Sequence, residues 1–190
     1  MMGGMRVRDH RELCRQVALL VAAGVVLTAC TGGGAVRTSA AGLTVLTCQD
    51  SFGHGPADPG ARSVGGVGSP ALSGSVTGDN TRWKSKDGHQ YFAWKDPVAV
   101  APGAKPYRTI TIVRPASARL LFTSPARWGA VWHNPLPILS RSVRLAACGR
   151  EYASYFGAIM VRRGACVMLA VAGPAEKLGT VSVPINSTQC

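Results

Sequence analysis

The chain has 190 residues, with 21 Lys and Arg against 9 Asp and Glu and a formal net charge of +12. That length suits one domain with an appendage, and the scarcity of acids leaves few carboxylates for acid–base or oxygen-ligand chemistry. Hydrophobic residues make up 46%, which excludes a disordered polyelectrolyte and allows a packed core.

The first element is a leader. Arg6, Arg8, Arg11 and Arg15 form a basic start, followed by an unbroken apolar run from Val17 to Leu27. Such a run falls short of the ~20 residues that a membrane-spanning helix needs, and the arrangement predicts a secretory signal peptide over 1–29. The residues Leu27-Thr28-Ala29-Cys30 resemble the bacterial lipobox. The resemblance implies that the Cys30 thiol is diacylglycerylated and that Cys30 opens the mature protein. A lipoprotein of this kind sits on the extracytoplasmic face of the cell membrane, because two or more acyl chains give stable anchoring. Of the 21 basic residues four lie in 1–29, as do two of the nine acidic ones, leaving 17 against 7. That excess points to an anionic partner. At this address the partner is a wall polymer, lipid headgroups or another envelope protein, and not nucleic acid.

Residues 30–42, rich in Gly, Ala, Ser and Thr, read as a flexible tether, and Leu43 to Cys48 as a first strand. The segment 49–80 carries eight Gly, three Pro and five Ser in 32 residues. It shows neither helical nor strand period and reads as a long loop, unusual inside a compact domain. Either Cys48 staples the first strand onto the domain or everything before residue 81 is linker; the staple is preferred, since an unpaired Cys48 would be open to oxidation.

From residue 81 onward the pattern is that of strands. Trp83–Lys86 and Gln90–Lys95 flank Asp87-Gly88, a strong hairpin signal. Alternation continues in Tyr107–Val113, Ser117–Thr123 and Ser142–Cys148, while Phe156–Arg162 and Cys166–Val171 are more uniformly apolar, as central strands are. Thr180–Ile185 contains Pro184, which cannot donate to a ladder and marks an edge strand. Pro125–His133 fits a helix with Pro at its first position, but Trp128 and Trp132, four apart, fit one strand face equally well. The expected fold is all-β: a single immunoglobulin-like sandwich of about seven or eight strands over residues 43–190. The runs SVRLAAC (142–148) and YFGAIMVRRGACVMLAV (155–171), followed by a closing cysteine, resemble small secreted or lipid-anchored proteins of high-GC Gram-positive bacteria. That resemblance implies a disulfide-stapled β-domain and carries no activity.

In an oxidising location Cys48, Cys148, Cys166 and Cys190 make two disulfides. Strands 166–171 and 180–185, joined by a short connection, pair antiparallel and return Cys190 toward Cys166, which leaves Cys48 for Cys148. No Cys or His pair has zinc-ligand spacing. Asp50, His54 and Asp58 are four apart, but two Gly and a Pro between them keep them off one helix face, so no metal site and no cofactor are expected. No G-x-S-x-G nucleophile elbow is present, and Met160 and Met168 lie in apolar strands as packing residues. One constellation stands out in the hairpin 82–95, where Trp83, Lys84, Lys86, Tyr91 and Trp94 bring aromatic rings and ammonium groups together. Exposed, such a set suits a carbohydrate or headgroup face; packed inward, it is an ordinary hairpin. The function expected is a lipid-anchored, non-catalytic binding or interaction module, the alternative being a small extracytoplasmic enzyme with an unrecognised site.

Overall fold

The computed structural model describes residues 37–38, 42–55, 62–69, 81–84, 90–104, 106–133, 139–187 and 190. Residues 1–29, expected to be a signal peptide, and Cys30 lie outside them. Residues Gly33–Cys190 form one compact unit. In chain order its elements are β1 (Arg37–Thr38), β2 (Leu43–Leu46), a 3-10 turn (Cys48–Asp50), β3 (Gly53–Gly55), β4 (Arg62–Val64), β5 (Val67–Ser69), β6 (Thr81–Lys84), β7 (Gln90–Lys95) and β8 (Val98–Val100). Then follow β9 (Tyr107–Arg114), β10 (Arg119–Thr123), α1 (Pro125–His133), β11 (Leu139–Ser140), β12 (Ser142–Ala146), β13 (Tyr152–Val161), β14 (Ala165–Ala172) and β15 (Lys177–Ile185).

The strands form two sheets in a sandwich. One sheet has six strands in the order β1-β2-β12-β9-β14-β15; the other has nine, with β11-β10-β13-β8-β5-β4 as its path and β3, β6 and β7 attached beside β13. Alternation dictates which residues face the partner sheet. Ile110 and Ile112 of β9, Val143 and Leu145 of β12, and Val167, Leu169 and Val171 of β14 meet Leu120 and Phe122 of β10 and Tyr155, Ile159 and Val161 of β13 in one core. β13 is the spine of the larger sheet, pairing with β10, β3, β7 and β8. Its outward residues Ala158 and Met160 are buried too, under a second cluster with Tyr91, Ala93, Leu121 and Val131. Burial on both faces is why the β13 sequence shows no alternation.

Several features depart from expectation. The described residues form fifteen strands instead of seven or eight: the segment 49–80 read as loop contributes β3, β4 and β5, and the short strands β1, β8 and β11 were not read either. Three residues are too few to display a period, yet Val67 in β5 is 2% exposed and belongs to the main core. Gly65 and Gly66 link β4 to β5 with φ of 57° and 77°, the mirror-turn geometry that two-residue hairpins require. The tether reading of 30–42 is also shortened, since Arg37 and Thr38 pair with Val45 and Thr44. The first strand is part of the domain, and β2 runs parallel to β12 with Val45 opposite Arg144. Residues 125–133 are helical, and β15 lies at a sheet edge as Pro184 requires.

Candidate functional site

The hairpin was the expected site, and the structure withdraws two of its aromatics. Tyr91 is 7% exposed in the second core, with the Arg162 guanidinium 5.8 Å from its ring centroid. Trp94 packs against the main core, its Nε1 buried. Alternation sends Tyr91 to one face of β7 and Phe92 and Trp94 to the other, and both faces are covered. β6 and β7 pair with Lys84 opposite Gln90, so the expected hairpin pairing is present. However, β6 covers 81–84 instead of the 83–86 read from sequence, and residues 85–89 with the Asp87-Gly88 turn lie outside the described residues. The side chains of Trp83 and Lys84, and Lys86 altogether, lie outside the described residues.

Both disulfides are present: Cys48–Cys148 and Cys166–Cys190. The first stands between two clefts. One, of about 550 Å³, is lined by Val45, Leu46, Thr47, Cys48 and Gln49 on one side and by Pro106, Tyr107, Arg144 and Ala146 on the other. It opens on the outer face of the six-stranded sheet, because Val143 and Leu145 point into the core and the alternate residues Arg144 and Ala146 point away. Ala146 pairs with Tyr107 and Arg144 with Thr109, making Arg144 and Tyr107 diagonal neighbours within reach of long side chains. The guanidinium carbon lies 4.2 Å from the Tyr107 ring centroid, a cation–π contact.

Arg144 differs from the other arginines nearby. Arg108 donates to the carbonyls of Gly65, Ala104 and Tyr107, Arg119 to those of Ala116 and Ala118, and Arg141 to those of Ala116, Ile112 and Val113. These three hold loops together, so part of the positive charge is structural. The Nε of Arg144 is buried and meets no acceptor among the described residues. An unpaired buried donor costs about 1–3 kcal/mol. Among the described residues no carboxylate lines this cleft, and the one cysteine lining it, Cys48, is in a disulfide.

The second cleft, of about 500 Å³, is lined by His54, Gly149, Arg150, Glu151 and the same disulfide. Here Ser51 Oγ stands 3.2 Å from His54 Nε2 and also donates to the Cys48 carbonyl at 2.9 Å. A hydroxyl has one proton. With that proton on the carbonyl, His54 is the donor to Ser51 and does not act as its base, so the pair is not a nucleophile–base dyad in this arrangement. Beneath lies Asp50, 3% exposed, one carboxylate oxygen accepting from Thr47 N and Thr47 Oγ1 at 2.8 Å each. Asp58 lies outside the described residues, among which no group of three or more His, Cys, Asp or Glu is placed to hold a metal. Nor is any described helix long and apolar enough to cross a membrane.

Sequence reasoning passed over Arg144 and Tyr107, placing both in strands without a role. An arginine within the otherwise apolar rhythm of SVRLA was the available signal, but its partner lies 37 residues away and across a ladder. Comparison with known proteins returns no match to any family model, curated protein or solved structure.

Proposed function

We propose that the chain is a lipid-anchored, non-catalytic binding module on the extracytoplasmic face of the cell membrane, and that it takes an anionic partner at the Arg144–Tyr107 cleft. One observation carries this reading: a guanidinium held on an aromatic ring in an apolar cleft, with its Nε buried and without an acceptor among the described residues. The lipobox resemblance at Cys30 and the excess of Lys and Arg support the address and the sign of the partner. Wall polymer, lipid headgroups and an acidic envelope protein all carry the required charge. Trp83, Lys84 and Lys86 remain in the reading as basic and aromatic surroundings.

The test has two parts. Intact mass of the membrane-extracted protein should show a diacylglyceryl adduct on Cys30, and an unmodified cysteine there would remove the anchor. Binding of the mature protein to anionic polymer or vesicles should fall steeply as salt rises. Lys84→Glu with Lys86→Glu should weaken it, and Arg144→Gln should weaken it further. Salt-independent binding would overturn the electrostatic reading. The enzyme alternative has the second cleft as its one foothold, and the committed proton of Ser51 weighs against it.

A further inference from the structure

We propose that the Arg144–Tyr107 cleft docks the phosphate headgroup of an anionic phospholipid from the membrane to which the chain is tethered, with the adjoining carbon skeleton lying along Val45, Ala146 and Pro106. The inference rests on the lipid-anchor reading above and names the ligand of the same cleft. Three observations carry it.

The first is chemical. A guanidinium presents a planar fork of donors that matches phosphate geometry, and the walls beside it are aliphatic. An amphiphile with one anionic head fits that lining. A polyhydroxylated polymer needs many polar partners, and Thr47 and Gln49 are the chief neutral polar side chains available. The Thr47 hydroxyl is already given to Asp50.

The second is position. The ladder sets Arg37 opposite Val45 and Val45 opposite Arg144, so the strand beside the site begins seven residues after Cys30. Seven residues of chain reach at most about 25 Å. The cleft is therefore held within a few Debye lengths, ~8–10 Å each, of the headgroup layer. The tether of thirteen residues read from sequence would have allowed a reach of up to about 45 Å.

The third is charge along the face. Continuing across the ladder from Arg144, Thr109 meets Ala172 and Ala172 meets Lys177. Lys177 is exposed. One row across the six-stranded sheet, from Arg37 through Arg144 to Lys177, thus carries three cations and no acid, uncharged residues lying between them.

The experiment uses the mature protein anchored in vesicles of phosphatidylcholine alone or mixed with phosphatidylglycerol, followed by amide hydrogen exchange. Phosphatidylglycerol should slow exchange at 43–47, 106–109 and 142–146 by about tenfold, the scale of one charge-assisted contact. Arg144→Gln should abolish that protection, whereas Arg127→Gln, the same loss of charge on α1, should retain it. Equal exchange in the two membranes, or protection surviving Arg144→Gln, overturns the proposal. Inorganic phosphate added to phosphatidylcholine vesicles separates the sources, since protection by phosphate alone assigns the cleft to a free anion and overturns the lipid. Exchange at 166–183 reports whether each variant folds. If Arg144→Gln does not fold, Ala146→Trp decides by filling the cleft with its charge intact: lost protection supports docking, and retained protection refutes it. The mass at Cys30, measured on the same sample, keeps the two readings apart. A lipidated Cys30 without phosphatidylglycerol-dependent protection overturns docking alone, and an unmodified Cys30 overturns the anchor.

Discussion

Gly157 is buried opposite Phe122 in the β10–β13 ladder, and the Phe122 ring occupies the space that a side chain there would need. A Cβ at 157 would fall inside the van der Waals envelope of that ring, and Phe122, 2% exposed in the main core, has little room to yield. Gly157→Ala should destabilise the domain by about 1–3 kcal/mol, the usual range for overpacking. Thermal melts of Gly157→Ala, Phe122→Leu and the double variant test the cause: the double should cost less than the sum, and strict additivity would show that the ring is not the obstacle. A second residue sets an alkaline limit. Tyr155 is fully buried, its hydroxyl donating to the Ala146 carbonyl at 2.7 Å beside Cys148 Sγ at 3.2 Å. Burial above all, and then the negative charge of Asp50, push its ionisation upward beyond the ordinary tyrosine range. In the unfolded chain the phenol ionises near pH 10. The stabilising contribution is therefore complete below about pH 10 and is lost as pH climbs toward the raised folded value, by at most about 1.4 kcal/mol per pH unit. Denaturant titrations should show that Tyr155→Phe loses stability less steeply than the parent above pH 10. Identical slopes would sink this account.

Strands differ here in how much they bury and in what secures them. β13 is covered on both faces and needs no staple. β15 lies at an edge, with Pro184 opposite Cys166 in the ladder. Proline gives no ladder hydrogen bond there, and the Cys166–Cys190 bond closes the strand's far end. A sequence separation of 24 puts the chain-entropy estimate at about 3–4 kcal/mol. Replacing both cysteines by serine should cost up to that amount and should first expose β15 and the end of β14 to hydrogen exchange. Uniform loss of protection across both sheets would instead mean that the edge has no independent stability.

Across the whole molecule, the decisive join is that of β2 to β12. Parallel strands need a long crossover, and here almost a hundred residues intervene, including every strand of the larger sheet except β13. Cys48–Cys148 locks that join, with a sequence separation of 100, for which the same estimate is near 4.7 kcal/mol. The bond also walls both clefts. Removing it with serines should therefore cost more stability than removing Cys166–Cys190. It should also weaken anion binding at the Arg144 cleft even at temperatures where the fold persists. If binding is unchanged in the folded variant, the wall of the cleft is set by β2 pairing alone.

The sequence by itself determined what is local. Alternation marked β9, β10, β12 and β15, the Asp-Gly pair marked the β6–β7 hairpin, Pro184 marked an edge, and a short hairpin connection brought Cys190 back to Cys166. These features depend on neighbours in the chain, whose side chains already state which face is wet. Tertiary structure decided the rest. Tyr91 and Trp94 could be read as exposed or packed until α1 and the partner sheet covered the two faces of β7. The strands within 49–80 exist because β8 and β13 offer them edges, and three residues cannot announce that beforehand. Arg144 and Tyr107 meet only through the pairing of β9 with β12. The entropy of closing so long a loop grows only slowly with its length, so no local pattern distinguishes that pairing from its competitors.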